Sequence, residues 1–152
     1  MKRVILCVAV MIAVIFLSSA SGHMIHPALR LHIIANSDTP VDQEVKLKIR
    51  DEILKAYTPL FSGDATRSEC RNILQGSLDE VEHIASNVLA QADIDMPVNA
   101  TLAVEEFPAR VYGNTMYPEG RYEALRVVIG EGEGRNWWCV MFPPLCIVNT
   151  SS

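Results

Sequence analysis

The order of periodic segments predicts an α+β fold: a single domain with an antiparallel or mixed sheet of four to five strands and two helices packed on one face. Three observations predict it. A short alternating run comes first, at Leu29 to Ala35. Two stretches with apolar residues at helical spacing follow, over Val41 to Tyr57 and Thr66 to Ala92. From Val98 onward the period changes to two, in short runs punctuated by glycine and proline.

In the first strand, Leu29, Leu31 and Ile33 alternate with Arg30, His32 and Ile34. It stops at Asn36-Ser37-Asp38-Thr39-Pro40, a turn rich in side chains that bond nearby backbone amides. Ser37, Asp38 or Thr39 can cap the next helix, with Pro40 in its first turn. That helix carries Val41, Val45, Ile49 and Ile53 four apart, which makes one apolar stripe. Pro59 and Gly63 mark a loop. The second helix is expected to run unbroken to Ala92, with Leu74, Leu78, Val81, Ala85 and Val88 on its buried face and Gly76 weakening it by about 1 kcal/mol.

Val98 to Glu105 alternates, Ala109 to Met116 offers another strand, and Tyr117 to Gly120 turns. Tyr122 to Ile129 and Asn136 to Phe142 are the closing strands, expected to pair as a hairpin across Gly130 to Gly134. The alternating glycines of that connection do not predict a phosphate cradle, because no helix follows and two glutamates stand between them. Trp137 and Trp138 are neighbours on a strand, so they point to opposite faces. One fills the core, and the other is expected to be exposed as an interaction surface.

The chain opens with Lys2 and Arg3, an apolar run from Val4 to Leu17, and small residues to Gly22. This is the pattern of a secretory signal, and the run is shorter than the roughly 20 residues of a spanning helix. Residues 1–22 are therefore a cleaved signal or a retained membrane anchor, and the domain occupies 29–148. Loss of Lys2 and Arg3 would take the formal charge from -5 to -7, so a nucleic-acid partner has no electrostatic footprint. A peripheral or anchored position at a membrane surface fits the leader.

An exported chain places Cys70, Cys139 and Cys146 in a space that permits disulfides. Seven extended steps would hold Cys139 and Cys146 over ~20 Å apart, so a bridge needs a chain reversal, and Pro143-Pro144 is the place for it. The expected pair is Cys139 with Cys146, leaving Cys70 free and buried. No CxxC is present and the histidines lack zinc-ligand spacing, so no metal or cofactor is expected. An exported cysteine-dependent hydrolase acting on cell wall or peptide would need Cys139 as nucleophile and His32 as base, oriented by Asn36 or Asp38. Cys139 lies in a strand, not at a helix N-terminus where a thiolate is favoured, and no catalytic residues are assigned.

Two segments, LRLHIIANSDTPVDQEVKLKIRDEIL (Leu29 to Leu54) and YEALRVVIGEGEGRNWWCVMFPPLC (Tyr122 to Cys146), closely resemble the stage II sporulation protein R family of endospore-forming bacteria. The resemblance implies a signal rather than an enzyme. Such a protein is made in the forespore and exported to the space between forespore and mother cell. There it activates a membrane-embedded aspartic protease that processes the sigma-E factor precursor. On the matching segments, the residues expected to contact that partner are Asn36, Ser37, Asp38, Arg126, Trp137, Trp138 and Phe142.

Overall fold

The computed structural model describes residues 24–146. The leader assigned to residues 1–22 lies outside them, as do 147 and 148 at the end of the expected domain. None of the described helices is long and apolar enough to cross a membrane.

The order is β1 (His26–Ile34), α1 (Pro40–Tyr57), α2 (Arg67–Gly76), α3 (Leu78–Gln91), β2 (Val98–Phe107), β3 (Arg110–Tyr112), β4 (Thr115–Tyr117), β5 (Gly120–Ile129) and β6 (Asn136–Phe142). A short 3-10 turn, Thr58–Phe61, follows α1. Four strands form a mixed sheet in the order β2-β5-β1-β6, and β3 pairs with β4 as a separate hairpin. The fold is α+β, as the sequence predicts, with three helices among the described residues in place of the expected two.

Thr39 is the cap of α1: its hydroxyl accepts from the Asp42 N–H at 3.3 Å, and Pro40 occupies the first turn. Val45, Ile49, Ile53, Leu54 and Tyr57 face the core, whereas Val41 is exposed. Asp42 and Lys46 take the buried positions of that stripe at its start, each held by hydrogen bonds. The expected single helix from Thr66 to Ala92 is two helices broken at Ser77. Thr66 and Glu69 form a reciprocal capping box at the start of α2. At its end the Ser77 hydroxyl donates to the Ile73 carbonyl at 2.7 Å, beside the low-propensity Gly76. The break lets Cys70 and Leu74 of α2 and Val81, Ala85 and Leu89 of α3 all reach one core.

The expected β5–β6 hairpin is overturned. β1 lies between the two strands, parallel to β5 (His32 level with Arg126) and antiparallel to β6 (His32 level with Trp138). The connection therefore crosses two strand spacings, roughly 9–10 Å, over the end of β1. It docks there: Glu133 N–H donates to the Asn36 carbonyl at 3.1 Å, and Gly134 N–H to the Ala35 carbonyl at 2.9 Å. Gly134 stands against the Ser37 carbonyl, where a β-carbon would not fit. A central strand is covered on both faces, and Leu29, Arg30, Leu31 and Ile33 are all fully buried.

Candidate functional site

The helices cover the sheet face that carries Leu31, Leu125 and Cys139. The opposite face carries Arg30, His32, Tyr122, Arg126 and Trp138, following the two-residue period. The β3–β4 hairpin covers one half of this face and leaves the other half open.

Under the hairpin, Arg30 is fully buried, and among the described residues no carboxylate stands beside it. Its guanidinium carbon lies 4.4 Å from the centre of the Phe107 ring, 4.8 Å from Tyr122, 5.6 Å from Tyr112 and 5.7 Å from Tyr117. Nε donates to the Cys139 carbonyl at 2.9 Å and Nη2 to the Tyr112 hydroxyl at 3.0 Å. The Tyr112 hydroxyl in turn donates to the Trp138 carbonyl at 3.0 Å. Burial pulls the guanidinium below its ordinary range, and the hydrogen-bonded, electron-rich ring of Tyr112 partly opposes this. Burial likewise pushes the Tyr112, Tyr117 and Tyr122 hydroxyls upward.

On the open half, His32 Nδ1 lies 2.8 Å from Glu105 Oε2 and its Nε2 3.0 Å from Asn136 Oδ1. Its ring stacks on Trp138 with centroids 3.8 Å apart and planes 18° apart. The other oxygen of Glu105 lies 3.1 Å from Arg126 Nε, a charge contact without hydrogen-bond alignment. Thr101 is the β2 residue level with Arg126 and hence with His32, yet Phe107, six positions further on, brings its ring to 6.1 Å from His32. The β2–β5 ribbon therefore coils back over the sheet, as two-stranded ribbons readily do. That coiling is what delivers Glu105 to His32.

The expected contact residues do not form one patch. Arg126 and Trp138 share the open face. Trp138 is half-buried between His32 and Phe107 and does not stand free in solvent. Trp137 lies on the helical face, under the Arg50 guanidinium at 4.3 Å. Phe142, half-buried, packs on the main core. The side chains of Asn36, Ser37 and Asp38 serve the fold: Asn36 and Ser37 donate to the Asp42 carboxylate, Asn36 Oδ1 accepts from Glu131 N–H at 3.1 Å, and Asp38 accepts from Arg135 N–H at 2.7 Å. The Ser37 and Asn36 bonds hold the Asp42 carboxyl below its usual range, although burial pushes the other way.

Cys139 and Cys146 are joined as a disulfide with Cα atoms 5.9 Å apart, and Cys70 is free and buried. His32 and Cys139 point to opposite faces of the sheet, so the Cys/His pair of a hydrolase is not assembled. Among the described residues no group of three or more metal-binding side chains is gathered. Arg30, Glu105 and Asn136 are absent from the expected site. The signal for Arg30 lay in the polar phase of β1, which a centrally placed strand buries, whereas Glu105 on β2 and Asn136 on β6 reach His32 only through the strand order.

A family model described as Stage II sporulation protein R matches residues 26–152. The chain belongs to the stage II sporulation protein R family. Stage II sporulation protein R of Bacillus subtilis (strain 168) is 38% identical over 125 residues, covering 82% of this chain and 56% of that relative. The chain thus spans a little over half the length of the relative it matches. No solved structure matches it. Membership in the stage II sporulation protein R family supports a role in sporulation, and the family is named for that role and not for an enzymatic reaction.

Proposed function

We propose that this chain is an exported sporulation signal: it leaves the forespore, reaches the space between forespore and mother cell, and activates a membrane-embedded aspartic protease that processes the sigma-E factor precursor. The family match over residues 26–152 carries this reading. The leader with Lys2, Arg3 and the apolar run to Leu17 agrees with export, either cleaved or retained as an anchor. The separation of His32 from Cys139 across the sheet, and the engagement of Cys139 in a disulfide, favour a binding protein over the cysteine-dependent hydrolase. The open half of the sheet, with Arg126 and Trp138 set by His32 and Glu105, is the surface offered for contact.

Co-expression of the full chain with the protease and the precursor in a non-sporulating host tests the proposal. Precursor cleavage, followed by immunoblot, is expected only when the chain is present. An exported, folded chain that leaves the precursor intact would overturn it.

A further inference from the structure

We propose that the β3–β4 hairpin rests on a lipid bilayer, with Val111, Met116 and Met24 as the contact. The hairpin has two unlike faces. Tyr112 and Tyr117 turn inward onto Arg30. Val111 and Met116 are register partners on the other face, 66% and 68% exposed. Cross-strand partners lie about 5 Å apart, so the two make one apolar spot. Met24 is 87% exposed and lines one cavity with Phe107, Pro108, Glu119 and Gly120, the roots of the hairpin. Ile25 beside it is exposed as well. Apolar side chains exposed together at one corner mark an interaction site, whereas Leu60 and Val104, each standing singly, do not.

Strand polarity places this corner at the end of the sheet where β1 begins. β5 runs parallel to β1 and starts at Gly120, and β2 runs antiparallel to β5 and ends at Phe107. Met24 is also the residue that follows the leader. On the reading above in which residues 1–22 are retained as an anchor, lipid is the occupant within reach. Seven chain steps separate Leu17 from Met24, and at about 3.5 Å each they span no more than ~25 Å.

The far end of β1 suits water. Asp38 pairs with Arg135 there, and the exposed residues Glu131 and Glu133 dock their N–H groups on Asn36. Around the hairpin roots Arg110 and Arg121 balance Glu106 and Glu119, so the contact with lipid is apolar and not electrostatic.

The full chain in a Cys7→Ser background, reconstituted into phosphatidylcholine vesicles, tests this. A fluorescent thiol label is placed at Met116→Cys or at Val111→Cys, on separate strands of the hairpin, so that one misfolded variant does not decide the result. The same label at Val41→Cys, exposed at the start of α1 beyond the far end of β1, controls for the label's own affinity for lipid. Cys70 is buried and Cys139 and Cys146 are bridged, so the label goes to the introduced thiol. Nitroxide-bearing lipid is expected to quench the two hairpin labels at least about threefold more than the Val41→Cys label, and equally at low salt and at about 0.5 M salt. Flotation with the vesicles reads the anchor separately. A chain that floats without that difference in quenching overturns the hairpin contact alone, and a chain that does not float overturns it together with the anchor. Quenching lost at high salt, or a hairpin label shielded as protein concentration rises at fixed lipid, would also overturn it, the last in favour of a second copy of this chain.

Discussion

The guanidinium carbon of Arg30 sits 4.4 Å from the centre of the Phe107 ring, in an interior where no carboxylate of the described residues neutralises it. The positive charge is carried instead by ring faces, two hydrogen bonds and the hairpin that encloses them. Removal of the side chain should leave a cavity and release Tyr112. Arg30→Ala is expected to cost about 3 kcal/mol or more, and Arg30→Met, which refills the aromatic box, about 1–2 kcal/mol. Urea midpoints should therefore rank wild type, then Arg30→Met, then Arg30→Ala. An Arg30→Ala midpoint indistinguishable from wild type would show that the cage does not support the fold.

The Cys139–Cys146 bridge closes a short loop and should contribute about 2.5 kcal/mol by restricting the unfolded chain. Paired replacement of both cysteines by serine should lower stability by that amount. Cys70 should behave differently. Its thiol is fully buried, and burial pushes its pKa upward. In a Cys7→Ser background under non-reducing conditions, a thiol reagent should find almost nothing in the native protein and one thiol after unfolding.

Acid should act through Asp42. Its folded-state pKa lies below the ordinary value because Ser37 and Asn36 donate to the carboxylate. The stabilisation is thus present above the unfolded pKa, about 3.9, and is lost as pH falls through the lower folded value. Urea midpoints measured from pH 6 down to pH 2.5 should fall more steeply in wild type than in Asp42→Asn. Equal slopes would mean that the carboxylate is not preferentially stabilised by folding.

Two glycines should respond in opposite directions to alanine. Gly76 sits in α2 with open space around its missing β-carbon, so Gly76→Ala should raise stability by about 0.5–1 kcal/mol. Gly134 abuts the backbone of Ser37, and Gly134→Ala must displace the loop from the end of β1. A loss of about 1–3 kcal/mol is expected, read as a drop in thermal midpoint.

Arg126 and Trp138 should separate signalling from stability. The Arg126 side chain is 39% exposed, whereas the Trp138 ring is stacked on His32. Arg126→Ala is expected to reduce precursor cleavage in the co-expression assay with the thermal midpoint shifted by less than about 0.5 kcal/mol equivalent. Trp138→Ala should lower both, because it also uncovers His32 and Phe107. Unchanged cleavage in Arg126→Ala would remove the open face from the proposed contact.

The amino-acid sequence by itself determined the local elements. The alternation of Leu29, Leu31 and Ile33, the stripe from Val45 to Ile53 and the cap at Thr39 are set by near neighbours, so they are legible without the fold. The Cys139–Cys146 pair was legible for the same reason, since seven residues and a proline turn confine it. Tertiary structure decided what lies between β5 and β6. A six-residue connection, Gly130 to Arg135, suits a hairpin and a two-strand crossing equally, and only the need to cover both faces of β1 chooses the crossing. That choice buries Arg30 and His32, coils β2 over them, and brings Glu105 to His32 across 73 positions of chain. Contacts between residues so far apart in the chain depend on strand order, which periodicity does not encode.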